Sequence, residues 1–138
     1  MNRLDQSLSV LVVDDDDSFF LMRHLLQKGG ITDDINHAGG EDEAMEYLRQ
    51  FGGSSESLPV AVVDVDAPFS RGYELIKWIR NCAGLKELLV FALGSSAAEQ
   101  DVARACESGA DSYIVKYPKP STLAEFFSKA MKARLMPA

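Results

Sequence analysis

The sequence predicts an α/β protein, a doubly wound five-stranded parallel sheet, and three features carry that expectation. Short apolar runs alternate with amphipathic stretches five times along the chain. The runs are apolar at successive residues, as strands buried on both faces must be. The length, 138 residues, suits one compact domain. Strands of this kind separated by helices pack as a parallel sheet covered on both sides. Right-handed crossovers then wind it in both directions from the middle.

The elements follow in order. Ser9–Val13 is a continuous apolar strand ending in acids. Phe19, Met22, Leu25 and Leu26 recur at helical spacing, and Gly29-Gly30 stops that helix. Asp34–Ala38 is a weak, polar strand that suits a sheet edge. Ala44, Leu48 and Phe51 mark a second helix. The segment GGSSESLP, Gly52–Pro59, is expected to be the most flexible part of the chain. Val60–Val63 is the third strand and ends at Asp64; Leu75, Ile76 and Ile79 give the helix behind it. Leu88–Leu93 is the fourth strand. The next helix opens with Ser96-Ala97-Ala98-Glu99, a capping-box pattern. Val102, Ala105 and Cys106 form its inner face, and Gly109 ends it. Tyr113–Val115 is the fifth strand, and Leu123, Phe126, Phe127, Ala130 and Met131 give the last helix a wide apolar stripe. No internal repeat is visible, so residues 1–138 read as a single domain with its core from about 7 to 134.

Composition excludes several classes of function. Hydrophobic residues make up 46% of the chain and charged residues 25%, which suits a packed core and argues against disorder. No apolar run is long enough to span a bilayer, so no membrane partner is expected. Asp5 and Gln6 interrupt the N-terminus where a signal peptide needs an apolar segment, and a cytoplasmic location is the default expectation. Cys82 and Cys106 have no companions at metal-ligand spacing and read as free thiols. A net charge of −7 disfavours direct nucleic-acid binding by this chain. The acids are uneven, however: Asp14, Asp15, Asp16 and Asp17 are consecutive.

In doubly wound sheets the site lies beyond the carboxyl ends of the strands, where strand order switches. The first strand ends at Asp14-Asp15 and the third at Asp64. If those strands are neighbours, their acids converge. Two carboxylates about 4 Å apart repel by roughly 1 kcal/mol in water and roughly 4 at an effective dielectric of 20. Protonation or a divalent cation relieves the repulsion. Oxygen-only ligands favour Mg²⁺. A cation with open positions can hold phosphate oxygens, and a carboxylate beside it can attack phosphorus. The alternative is that Asp14–Asp17 is a solvated turn capping the first helix. That suits Asp16 and Asp17, which lie past the strand end. It suits Asp14 and Asp15 less well, because two separate strands end in acids. Lys116 follows the fifth strand directly, where it can reach back over the strand ends as a point charge or stay on the surface.

LVVDDDD at 11–17, AGGEDEAMEYL at 38–48, VVDVDAPFSRGYEL at 62–75 and GADSYIVK at 109–116 resemble, in order, the signature regions of bacterial response-regulator receiver domains of the chemotaxis-regulator type. The resemblance runs from about Val10 to Met131. It implies a flavodoxin-like (βα)5 fold with strand order 2-1-3-4-5. It implies that Asp64 is the phosphoacceptor and that Asp14 and Asp15 are the acidic pair at a Mg²⁺ ion, Asp15 directly and Asp14 mainly through water. Asp64 and the backbone carbonyl of Asp66 would be further ligands. Lys116 would pair with the phosphoryl group, Pro68 and Gly72 would shape the loop after Asp64, and Tyr113 would be the aromatic switch. The implied partners are a sensor histidine kinase or phosphotransfer protein, which donates from phosphohistidine, and a downstream output protein or domain. Output would read the face made by the fourth and fifth helices and the fifth strand, a face that also admits a homodimer. No enzymatic activity is implied beyond self-catalysed phosphorylation and dephosphorylation.

Two positions depart from the family pattern. A Thr or Ser usually ends the fourth strand; here Gly94 stands there, and Ser95 takes its place only if the loop shifts by a residue. Coupling from phosphate to Tyr113 is then weakened or rerouted. The lysine is usually followed by a cis proline; here Tyr117 follows, with Pro118 next. A cis bond before a non-proline residue costs roughly 2.5–4 kcal/mol, so the expectation is a cis Tyr117–Pro118 bond or an altered loop. Tyr113 itself is either a switch or a half-buried residue with a wet hydroxyl. These departures support an alternative, a pseudo-receiver that binds proteins without phosphorylation. A second alternative, a haloacid-dehalogenase-type phosphatase suggested by Asp64-Val65-Asp66, lacks its downstream acidic pair, since Asp101 and Asp111 are isolated. His24 and His37 are expected to be structural and outside the site, while Asp66 and Ser96 flank it and are expected to tune phosphoryl lifetime.

Overall fold

Alternation along the strands divides the apolar side chains between two cores, one on each face of a single sheet. Val10, Val12, Val60, Val62, Phe91 and Leu93 face one way and pack with Met22, Leu26, Leu123 and Phe127. Leu11, Val13, Ala61, Val63, Val90 and Ala92 face the other way and pack with Ala44, Leu48, Leu75 and Ile79. This period of two is the pleat of a strand.

The computed structural model describes residues 8–32, 34–51, 58–66 and 71–135. In order they form β1 (Leu8–Val13), α1 (Asp16–Lys28), β2 (Ile35–Ala38), α2 (Glu41–Phe51), β3 (Leu58–Asp64), α3 (Gly72–Asn81), a 3-10 turn (Ala83–Leu85), β4 (Leu89–Gly94), α4 (Glu99–Ser108), β5 (Ser112–Val115) and α5 (Pro120–Leu135). The five strands are parallel in the order β2-β1-β3-β4-β5, the predicted topology. β2 is the partly exposed edge strand that its polar sequence predicts. No helix among the described residues is long and apolar enough to cross a membrane.

Three local expectations are corrected. β3 begins at Leu58, so Leu58 and Pro59 belong to the strand, paired with Leu8 and Ser9. Pairing of β3 with β4 starts only at Val60, and Pro59 lies before it, where a missing N–H is tolerated. The rest of the expected flexible loop, 52–57, lies outside the described residues, as does Pro68. The Ser96–Glu99 capping box does not form. The chain stays extended through Ala98 (φ −65°, ψ 139°), and α4 starts at Glu99 without a side-chain cap. The Ser96 hydroxyl instead accepts the Ala98 N–H at 3.1 Å. Finally, Cys106 is exposed and Ser108 takes the inner position, its hydroxyl donating to the Arg104 carbonyl at 2.8 Å.

Gly109 ends α4 in the left-handed conformation (φ +116°), and a Cβ there would collide with the Arg80 side chain. Arg80 ties three elements together. It donates to the carbonyls of Gly109 at 2.6 Å, Leu88 at 2.7 Å and Lys86 at 3.2 Å, and pairs with Asp111 at 2.7 Å. Asp111 also accepts the Val90 N–H at 2.8 Å.

Candidate functional site

β1 and β3 are adjacent and in register, Val13 opposite Val63, so Asp14, the first residue past β1, stands beside Asp64, the last of β3. β5 delivers Lys116 to the same edge. A cavity of about 270 Å³ is lined by Asp14, Asp15, Asp64, Asp66, Gly72 and Lys116, with Glu41 and Arg71 at its side. The Lys116 ammonium lies 3.3 Å from Asp64 Oδ1 and 2.9 Å from Asp66 Oδ2. The Asp66 N–H donates to Asp64 Oδ1 at 2.9 Å. Gly72 opens α3 so close to β3 that a Cβ would collide with the Asp64 carbonyl. Only glycine permits that approach.

Burial sets the electrostatics. Asp14 is 5% exposed. Its Oδ1 accepts the Asp15 N–H at 2.8 Å, while its buried Oδ2 has no hydrogen-bond partner among the described residues. Burial pushes the Asp14 carboxyl up from 3.8 to about 7, and the neighbouring Asp64 carboxyl adds to the rise. Asp15 is held below the usual carboxylate range, chiefly by the Ser18 N–H that it accepts at 2.8 Å. Asp15 is therefore the N-cap of α1, with Asp16 and Asp17 in the first turn. Lys116 is held well above the ordinary lysine range: burial alone would lower it, but the bond to Asp66 and the charges of Asp64 and Asp14 prevail.

The donor set fits a hard divalent cation. Asp14, whose buried Oδ2 has no hydrogen-bond partner among the described residues, lines a cavity together with Asp15, Asp64 and Asp66. No group of three or more His, Cys, Asp or Glu side chains forms a metal cage among the described residues. A bound ion would therefore need carbonyl and water ligands as well, which is the habit of Mg²⁺.

Four positions differ from expectation. His37 is not remote from the site: its Nε2 lies 2.8 Å from the Asp14 carbonyl, its Nδ1 3.8 Å from Asp16 Oδ1, and its ring stacks on Phe19 at 4.3 Å. Its signal was its place near the carboxyl end of β2, the strand next to β1. His24 lies on the exposed side of α1. Ser95, just past the end of β4 at Gly94, has an unexpected partner: its N–H donates to Asp66 Oδ1 at 2.9 Å and its hydroxyl to Oδ2 at 3.2 Å. The Tyr113 hydroxyl is not wet. The residue is 9% exposed and donates to the Ser96 carbonyl at 2.7 Å. It occupies space that a side chain at position 94 would need, since a Cβ on Gly94 would collide with that hydroxyl. The cis bond is Lys116–Tyr117, where a cis Tyr117–Pro118 bond or an altered loop was expected. The Tyr117 hydroxyl reaches back to Ser18 Oγ at 3.1 Å, a contact proline cannot make.

A doubly wound parallel sheet with carboxylates at the ends of two central strands and a lysine after the last defines an α/β protein whose site sits at the switch in strand order. The family profile described as "Response regulator receiver domain" matches residues 10–128, and the chain belongs to that family. It is 30% identical over 88 residues to the two-component response regulator ORR11 of Oryza sativa subsp. indica, covering 64% of this chain. That match spans 57% of the length of ORR11. It is 27% identical over 126 residues to chemotaxis protein CheY-3 of Vibrio cholerae, covering 91% of this chain and 93% of that one. Among solved structures, a response regulator from Thermotoga maritima shares the fold with a TM-score of 0.73 at 24% identity, covering 91% of this chain and 98% of that one. The signal receiver domain of a histidine kinase from Syntrophus aciditrophicus matches with a TM-score of 0.73 at 25% identity, covering 96% of each chain. The family is one of signalling domains.

Proposed function

We propose that the chain is a phosphoacceptor receiver in which Asp64 takes a phosphoryl group from a phosphohistidine on a sensor histidine kinase or phosphotransfer protein. The observation that carries this reading is the contact of Asp64 with Lys116 at 3.3 Å beside the partnerless, buried Asp14 Oδ2. An Asp64 carboxylate oxygen attacks phosphorus; the phosphorus–nitrogen bond breaks, its electron pair leaves on the imidazole, and an acyl phosphate forms. Lys116 supplies positive charge to the transferred oxygens. Asp14, Asp15, Asp64 and the Asp66 carbonyl would hold Mg²⁺, which neutralises charge on the phosphoryl oxygens. Hydrolysis of the acyl phosphate returns Asp64, so the chain turns over nothing but its own modification. Output is read on α4, β5 and α5, where Val115 and Tyr117 are exposed, by a downstream protein or domain or by a second copy. We place this activity in the cytoplasm and in one receiver unit with its core between about 7 and 134.

The test is Mg²⁺-dependent phosphorylation from acetyl phosphate, followed by intact mass. The wild type should gain one phosphoryl group and Asp64→Asn none. No modification of the wild type in saturating Mg²⁺ would refute the reading. One observation favours a second reading: Tyr113 is already seated on the Ser96 carbonyl across Gly94. A pseudo-receiver with a permanently set output face would show the same seat. It would bind its partner equally well as wild type and as Asp64→Asn.

A further inference from the structure

Asp66 was expected to lend its backbone carbonyl to an ion and to tune phosphoryl lifetime, and its side chain makes contacts that say how. Its carboxylate gathers three donors from two segments. Oδ1 accepts the Ser95 N–H at 2.9 Å. Oδ2 accepts the Ser95 hydroxyl at 3.2 Å and pairs with Lys116 at 2.9 Å, closer than Lys116 stands to Asp64. An ammonium after β5 with an N–H and an O–H after β4 is what any anion seated on Asp64 would need. Burial would raise the Asp66 carboxyl, but Lys116 and the Ser95 N–H prevail and hold it low. Gly94 makes room, since a Cβ there would stand 3.1 Å from Asp66 Oδ1. The loop held at Ser95 presents the next carbonyl, that of Ser96, to the Tyr113 hydroxyl at 2.7 Å. The inward position of Tyr113 is thus tied to a carboxylate that the chain itself supplies.

We infer that Asp66 is a resident anion: its carboxylate holds the place of a phosphoryl group on Asp64 and competes with that group for Lys116 and Ser95. The inference rests on the phosphoacceptor reading above. Phosphorylation then exchanges one anion for another, so the loop after β4 and Tyr113 move little, and the incoming group is held less tightly than an empty site would hold it.

Two measurements on the full chain test this. The first is amide hydrogen exchange at Ser95 without any phosphodonor. Asp66→Ala should speed it by about tenfold or more, the loss of one firm tether. An unchanged rate overturns the inference. The second is titration with beryllofluoride in saturating Mg²⁺. Asp66→Ala should bind about tenfold or more tightly than wild type. Equal, measurable affinities overturn the competition and leave the phosphoacceptor reading standing; no binding by either protein overturns both. Should Asp66→Ala misfold by circular dichroism, Asp66→Asn keeps the shape and removes the charge facing Lys116. It should bind a few-fold tighter, and no gain overturns the inference.

Discussion

Asp14 is the residue on which both charge and burial act most strongly. In the folded chain it keeps its proton up to about pH 7, whereas an unfolded chain releases it near 3.8. Between those values the folded state binds more protons, so stability falls as pH rises from about 4 to about 7 and levels off above. Asp15 and Asp66, both lowered, work the other way and lose their stabilisation only as pH falls through the acidic range. At roughly 1.4 kcal/mol per pH unit, the Asp14 slope amounts to a few kcal/mol across its window. Urea denaturation without divalent cations should show this slope in the wild type and not in Asp14→Asn. A slope that survives the substitution would assign it elsewhere. Gly94 gives the second prediction at this scale. Gly94→Ala crowds the Tyr113 hydroxyl and should cost about 1–3 kcal/mol. Tyr113→Phe loses one hydrogen bond and leaves the Ser96 carbonyl bare, about 1 kcal/mol or slightly more. The double variant should be more stable than the sum by about 1 kcal/mol, because the hydroxyl that clashes is gone. Strict additivity would mean that position 94 and Tyr113 do not share space.

At the scale of elements, Arg80 fastens the C-terminal end of α3 to the turn after α4 and to the entry of β4. Removing it leaves several carbonyls and the Asp111 carboxylate without their cation. Arg80→Ala should destabilise by about 2–4 kcal/mol, and Arg80→Lys should recover little of that, since one ammonium cannot span the same acceptors. Full recovery by lysine in thermal denaturation would reduce the network to a single charge. Nothing in the sequence marked Arg80, because its partners lie on other elements and carbonyls have no side-chain signature. The same reason explains the other misses. Ser96 and Glu99 carry the local code for a capping box, but the Ser96 carbonyl is held by Tyr113, 17 residues on, and a tertiary bond displaces the local one. His37 reads as a strand residue until β2 is placed against β1, which aims its ring at the Asp14 carbonyl. The strands, by contrast, were legible to within a residue or two. A parallel strand buried on both faces is an unbroken apolar run, and Asp14, Asp64 and Lys116 each follow such a run. Side-chain chemistry at strand ends could be read; which side chain answers which across the pocket could not, and Asp66 with Ser95 is the case in point.

At the scale of the whole molecule, one group of acids meets where the sheet opens. A net charge of −7 is tolerable when spread over the surface. Part of it lines one cavity with Lys116 as a close cation, and on the proposed reading that cavity would take a divalent ion. An ion that binds only the folded chain stabilises it by mass action, about 2.7 kcal/mol at a hundredfold excess over Kd. For a domain of this size that corresponds to roughly 5–10 °C in Tm. Mg²⁺ should therefore raise Tm by that amount at pH 7.5, and NaCl at matched ionic strength should not, because screening acts weakly on a buried pair. An ion held by Asp14 would take it in its ionised form, so the gain should shrink as pH falls below about 7, where a proton competes for the carboxylate. Asp14→Asn should lose most of the shift, and its metal-free Tm at pH 7.5 should lie above that of the wild type, because it has no buried carboxylate to ionise. An equal rise with NaCl, or a Mg²⁺ effect independent of pH between 5 and 8, would mean that the ion acts on the diffuse surface charge and not on the cavity between β1 and β3.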